Sequence, residues 1–273
     1  MIELFRYDGR RVVVTGCSSG IGEAVAVGAA ELGATVVGVD IKPPASDIAE
    51  FVHMDLGDRR SIDAGAAAIG GTIDALFNCA GLSDGSATPS QVFAVNFLGM
   101  RHLTEALVGG PLAGGGAVVN VASLGGLGWD NNLEAVQQMV ALNDWDTAES
   151  WCAAHPEQFA RGGYGFSKQS MILYTKERAV PWAQRGLRVN VIGPSPVDTP
   201  MLAASVKSVG QAFLDAFPRS LGRNSTAQEQ AAVLLFLNSG AASYVTGQLL
   251  WTDGGYTAGL TTGQIDRPGS GRA

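Results

Sequence analysis

The sequence predicts an α/β fold, a parallel sheet doubly wound by helices on its two faces, and three observations carry that expectation. Apolar, β-branched runs at 11–15, 35–39, 74–78, 117–122, 187–192 and 248–251 alternate with helix-like segments, the pattern of strand–helix–strand crossovers. Gly16, Gly20 and Gly22 punctuate the junction between the first run and the helix-like stretch Ala24-Val25-Ala26-Val27. Polar and glycine-containing motifs fall at the carboxyl ends of the runs, the edge at which such sheets bind ligands. With 273 residues and 46% hydrophobic content, the chain can bury one large core. A single domain over 1–273 is expected.

Taken in order, Val12-Val13-Val14 leads into Thr15-Gly16-Cys17-Ser18-Ser19-Gly20-Ile21-Gly22. A strand, a glycine turn and a helix start make a cradle for the phosphates of a dinucleotide, because the helix N-terminus offers unpaired N–H groups and a partial positive charge. The second run ends at Asp40, where a carboxylate can accept hydrogen bonds from ribose hydroxyls and repel a 2′-phosphate. Only about ten residues, including Pro43-Pro44, separate Asp40 from a short strand near Phe51. A Pro-Pro pair disrupts a helix interior, so the crossover helix there is expected to be missing or stunted.

The third run leads to Asn78-Cys79-Ala80-Gly81 and, later, Val95-Asn96-Phe97; the fourth ends at Ser123. Tyr164 and Lys168 open a helix-periodic segment and project from one face, one turn apart. A phenol can deliver a proton to a developing alkoxide if its pKa falls from about 10, and a neighbouring ammonium favours that. A serine at a strand end suits a neutral donor to the same oxygen.

Between Ser123 and Tyr164, Leu133, Val136, Met139 and Val140 recur at helical spacing, as do Ala148, Trp151, Cys152, His155 and Phe159, with Asn143-Asp144 between them. This predicts a helical hairpin over about 128–163 whose apolar stripes need a partner surface. Residues 194–221 carry Met201, Leu202, Val206, Val209, Phe213, Leu214 and Phe217 beyond a strand, where a substrate lid is expected. A C-terminal tail over about 257–273 follows.

Composition narrows the function classes. A formal net charge of −7 without a basic stripe argues against nucleic acid. No apolar run approaches a membrane span, and the N-terminus interleaves charges with apolar residues, unlike a signal peptide. Three cysteines without C-x-x-C spacing argue against a disulfide framework and a zinc site; no metal is expected, and a reducing, cytoplasmic setting is.

These motifs, in their order, resemble those of the short-chain dehydrogenase/reductase family over about residues 10–256: the glycine turn, Asn78-Cys79-Ala80-Gly81, Asn96, Ser123, Tyr164-Gly165-Phe166-Ser167-Lys168, Asn190-Val191-Ile192-Gly193-Pro194 with Thr199, and Asp253-Gly254-Gly255. The long Ser-to-Tyr spacing, the shortened second crossover and the brief loop after Gly81 are most like the 3α-hydroxysteroid dehydrogenase/carbonyl reductase branch. Cys79 and Ser195 depart from the family pattern, and Ser195 stands where glycine is usual.

The resemblance implies a Rossmann-type fold and catalytic roles for Asn96, Ser123, Tyr164 and Lys168, with Lys168 also bonding the nicotinamide ribose and Asn96 holding a water. It places a dinucleotide against Gly16, Cys17, Ser18, Ser19, Gly20, Ile21, Gly22, Asp40, Asp55, Leu56, Asn78, Ala80, Gly81, Tyr164, Lys168, Pro194, Val197 and Thr199. Asp40 selects NAD over NADP. The expected activity interconverts a secondary alcohol and a ketone, on a hydroxysteroid or other apolar, alicyclic compound, in a homodimer or homotetramer. Rival readings are a reductase of a non-steroid ketone and a catalytically silent dinucleotide-binding regulator. An enoyl-thioester reductase is disfavoured by the Tyr164/Lys168 spacing, and a serine hydrolase by the lack of a G-x-S-x-G turn.

Overall fold

The first apolar run forms β1 (Arg11–Thr15), whose Val12, Val13 and Val14 are fully buried, and it sits inside the sheet in the computed structural model, which describes residues 1–266. The glycine turn leads into α1 (Gly20–Glu31), followed by β2 (Thr35–Asp40), β3 (Glu50–His53), α2 (Arg59–Ile69) and β4 (Ile73–Asn78). Residues 41–49 contain no helix, as Pro43-Pro44 requires. Next come α3 (Pro89–Phe93), a π-helical stretch over Ala94–Gly99, α4 (Met100–Gly109), β5 (Leu112–Val121), α5 (Leu133–Ala141), α6 (Trp145–Ala154) and the long α7 (Tyr164–Ala183). The remainder is β6 (Arg188–Pro194), β7 (Val197–Asp198), α8 (Pro200–Val209), α9 (Gln211–Ala216), β8 (Ser225–Thr226), α10 (Ala227–Asn238), β9 (Leu249–Thr252) and α11 (Tyr256–Thr262). Of the expected C-terminal tail, 267–273 lies outside the described residues.

Seven strands pair in parallel in the order β3-β2-β1-β4-β5-β6-β9. The chain moves outward from β1 to β3, then crosses back to place β4 against β1, so a crevice opens where their carboxyl ends, Thr15 and Asn78, lie side by side. Alternate side chains serve opposite faces. Val13, Val37, Leu76 and Val118 join one core with residues of α2, α4, α5 and α7, while Val12, Val14, Val36, Phe77 and Val119 join another with α1 and α10. No described helix is long and apolar enough to cross a membrane.

The apolar stripes between Ser123 and Tyr164 find their partner within the chain. Val136, Met139 and Val140 of α5 are buried in the core shared with α7. In α6, Trp151 stacks on Phe166 of α7 at 5.6 Å and Trp145 meets His102 of α4 edge-on at 6.0 Å. Asp144 caps α6 by accepting Thr147 N–H at 2.9 Å. Trp151 Nε1 donates to Gln138 of α5 at 3.1 Å, but each helix packs on the body of the domain.

A buried polar relay crosses this core. Asn78 Nδ2 donates to Thr104 of α4 at 2.9 Å and to Asn120 Oδ1 of β5 at 2.8 Å, and Asn120 Nδ2 donates to Thr175 of α7 at 2.8 Å. Both asparagines are almost wholly buried. Asn120→Leu strips Asn78 of an acceptor in a place water does not reach, and a buried group left unsatisfied costs about 1–3 kcal/mol. Urea denaturation of this variant is expected to show a loss of that size; unchanged stability would refute a structural role for the relay.

Candidate functional site

A cavity of about 1190 Å³ runs along the carboxyl edge of the sheet, from Asp40 and Asp55 at one end to Ser123 and Tyr164 at the other. The glycine turn forms its floor. Gly16 has φ +71° and a Cβ on it would lie 2.8 Å from Ala80 Cα, while a Cβ on Gly22 would lie 2.1 Å from the Gly16 carbonyl oxygen. Only glycines allow the turn to fold this tightly between β1, α1 and the end of β4. Thr15 Oγ1 closes the crevice by accepting Cys79 N–H and Ala80 N–H, each at 3.1 Å.

Asp40 ends β2 with its carboxylate over the turn. Its Oδ2 accepts Ser18 N–H at 3.0 Å and the Ser18 hydroxyl at 2.8 Å, and its Oδ1 accepts Lys42 N–H at 3.2 Å. Asp55, which accepts Gly57 N–H at 2.7 Å, and Leu56 complete that end of the cavity. Pro194 at the end of β6 and Val197 and Thr199 beyond it line the cavity, and a Cβ on Gly20 would come within 3.3 Å of Thr199 Cγ2. Among the described residues no non-glycine residue has positive φ, so Ser195 occupies its place in this loop without the freedom of glycine.

At the other end, Lys168 is 4% exposed, donates from Nζ to the Val121 carbonyl at 2.8 Å and lies 5.4 Å from the centre of the Tyr164 ring. Burial pushes its ammonium down to about 8. The Tyr164 phenol is pushed upward, chiefly by burial and also by the Asp84 carboxylate, while a hydrogen bond from Ser123 pulls it back. The expected lowering of the phenol is not found: burial outweighs what its neighbours contribute. Ser123 also accepts Gly125 N–H at 3.1 Å, so it caps a turn and faces the tyrosine at once.

Asn96 lies in the π-helical stretch, a feature frequent at functional sites. Its Oδ1 accepts Leu82 N–H at 2.7 Å and its Nδ2 donates to Leu82 O at 2.9 Å. It sits behind Gly81, whose Cβ position is 3.1 Å from Asn96 Oδ1 and 3.8 Å from Lys168 Nζ.

Two expected contacts fall elsewhere. Asn78 turns its side chain into the relay under the sheet edge, and Cys17 is fully buried in the core beside Gly38. Neither lines the cavity. Conversely, Asp84, Arg161 and Tyr256 line it without having been singled out. α8 and α9, with Phe217 just beyond them, supply an apolar wall of Met201, Leu202, Val209, Phe213, Leu214 and Phe217, whereas no residue of α5 or α6 reaches the cavity. No cluster of His, Cys, Asp or Glu suited to a metal ion occurs among the described residues.

A sequence profile described as short chain dehydrogenase matches residues 10–133, and one described as enoyl-(acyl carrier protein) reductase matches 150–257. Coniferyl-alcohol dehydrogenase from a Pseudomonas species is 34% identical over 90% of this chain and 96% of its own. The chain belongs to the short-chain dehydrogenase/reductase family. The 3-alpha-hydroxysteroid dehydrogenase/carbonyl reductase of Comamonas testosteroni is 30% identical over 90% of this chain and 96% of its own. The crystal structure of the 3-alpha-hydroxysteroid dehydrogenase from Pseudomonas sp. B-0831 complexed with NADH covers 94% of this chain with a TM-score of 0.77 and 30% identity. As a family member the chain is an oxidoreductase of the kind that binds a nicotinamide dinucleotide and acts on alcohols or ketones.

The tightness of the turn gives a direct test. A methyl group at residue 22 meets the Gly16 carbonyl, and overpacking of this kind costs about 1–3 kcal/mol. Gly22→Ala is expected to weaken NADH binding about ten- to a hundredfold, read by nucleotide fluorescence; wild-type affinity would show that the cradle does not carry the nucleotide.

Proposed function

We propose that the protein is an NAD-dependent oxidoreductase that interconverts a secondary alcohol and a ketone on an apolar substrate, of which a hydroxysteroid or another alicyclic compound is the preferred class. The observation that carries this reading is the single cavity in which the glycine turn and Asp40 occupy one end, Ser123 and Tyr164 the other, and the apolar wall of α8 and α9 faces them. Its volume of about 1190 Å³ exceeds the roughly 300–1,000 Å³ typical of one small-molecule pocket, which suits a dinucleotide and a substrate side by side. The segment over 194–221 acts in this reading as the substrate lid.

When bound, the dinucleotide would supply or accept the hydride; Gly16, Ser18–Gly22, Asp40, Asp55, Leu56, Ala80, Gly81, Pro194, Val197 and Thr199 would hold it. The chain's own side chains handle the oxygen and the proton. In the direction of reduction, Ser123 donates a hydrogen bond to the carbonyl oxygen and Tyr164 delivers its proton as negative charge develops there. Lys168, close to the ring and held by Val121, stabilises the resulting phenolate and fixes its position. Asn96 backs Lys168 across Gly81. Oxidation of the alcohol runs the same proton in reverse, from substrate hydroxyl to ionised Tyr164. The full set of Asn96, Ser123, Tyr164 and Lys168 disfavours a silent regulator, which needs only the cradle.

Asp40 supports NAD over NADP, because its carboxylate stands where a 2′-phosphate would bring further negative charge. The expected homodimer or homotetramer gains no support from Val136, Met139, Val140 and Ala148 of α5 and α6, which are covered by their own chain, although Leu133 stays exposed.

Tyr164→Phe is expected to cut kcat by about 10²- to 10⁴-fold with a panel of steroid and alicyclic alcohols, while NADH affinity stays near wild type. Retention of more than about a tenth of wild-type kcat would remove Tyr164 as the proton donor. The wild-type enzyme is further expected to favour NAD over NADP in kcat/KM, and Asp40→Ala to narrow that ratio. A wild-type preference for NADP would overturn the assignment.

A further inference from the structure

Asp84 lies on the loop after Gly81, lines the cavity, and caps the helix that carries Tyr164. Its Oδ1 accepts Gly163 N–H at 2.9 Å and Tyr164 N–H at 3.1 Å, two of the donors that a helix start leaves without intrahelical partners. The cap comes from 79 residues upstream because Gly163, at the N-cap position of α7, has no side chain to provide one. The seat for the carboxylate is built. Gly162 adopts φ +101°, and a Cβ there would fall 2.3–2.5 Å from the carboxyl carbon and both oxygens of Asp84. On the far side, a Cβ on Gly163 would lie 1.9 Å from the Pro89 carbonyl oxygen, so the first turn of α7 is wedged between α3 and Asp84. An anion is well placed at this helix end.

We propose that Asp84 is a positioning residue for proton transfer: its carboxylate anchors the first turn of α7, and with it the Tyr164 hydroxyl, and sets a negative charge at that turn. The inference rests on the reading of Tyr164 as the proton donor. Lys168 faces it from α7 and Cys79 lies near that ammonium from the end of β4. Arg161 lines the cavity just before α7, and Tyr256 does so from α11. The cavity wall from 194 to 217 contributes no ionisable side chain, and Asp40, Lys42 and Asp55 belong to the opposite end. Among these, Asp84 is the anion that acts on Tyr164, in the direction that raises its pKa.

Asp84→Asn retains size and an acceptor oxygen but removes the charge; Asp84→Ala removes both. Tyrosinate absorbance of the full-length protein, titrated against Tyr164→Phe as the reference, reads this phenol alone and needs no substrate. In Asp84→Asn the midpoint is expected to move to lower pH, and the acidic limb of kcat for alcohol oxidation to move with it. In Asp84→Ala, kcat is expected to fall about 10- to 100-fold, the scale of a misplaced reacting group, with NADH affinity unchanged. A midpoint in Asp84→Asn that stays in place or rises would overturn the proposal, as would wild-type kcat in Asp84→Ala. If the alanine variant does not fold, the isosteric variant decides alone. Failure of the underlying reading shows separately, as retained turnover in Tyr164→Phe.

Discussion

Placing an ammonium at 4% exposure carries a penalty of several kcal/mol unless its protons find partners. Lys168 meets this condition through the Val121 carbonyl at the last residue of β5. That bond fixes α7 to the carboxyl edge of the sheet, and much of the site follows from it. Two turns further on, Thr175 receives Asn120 from the same strand, so two polar contacts lock the helix in rotation and register against β5. Tyr164, the first residue of α7, is then carried to the end of the sheet where Ser123 leaves β5. Parallel pairing of β5 with β4 and of β4 with β1 brings that point to the same edge as the glycine turn.

The polar groups in this core thus act as alignment pins. Hydrophobic contact between a sheet and a helix is tolerant of small rotations, whereas a buried amide or ammonium is costly in any position but one. The relay from Thr104 through Asn78 and Asn120 to Thr175 joins α4, β4, β5 and α7. It explains why Asn78 serves the scaffold with its side chain, although it adjoins the cavity residues Cys79, Ala80 and Gly81 in sequence.

What could be read in the sequence is what local chemistry dictates. β-branched runs became strands, Pro43-Pro44 suppressed a helix, and Gly16, Gly20 and Gly22 marked a turn whose geometry admits no Cβ at two of the three. The four-residue spacing of Tyr164 and Lys168 placed both on one helix face. What escaped depends on partners distant in sequence. The direction of the Asn78 side chain is set by Thr104 and Asn120, and the role of Asp84 by N–H groups 79 and 80 residues away. Similarly, the spacing in 133–159 predicted apolar helical faces but could not say that α7 and α4 would cover them. The upward shift of Tyr164 could not be read from its spacing to Lys168, because spacing gives proximity without burial, and burial dominates both groups.

Burial has a further chemical result for Cys17, Cys79 and Cys152, whose thiols are each pushed up to about 12. Only the thiolate reacts readily with alkylating agents and peroxides, so thiols raised this far react slowly at neutral pH. Oxidants therefore meet a nearly inert surface of sulfur while the fold is closed. Capture of Cys17, fully buried beneath the glycine turn, by a thiol reagent reports the rate at which that turn opens, a clock for local unfolding already built into the native chain.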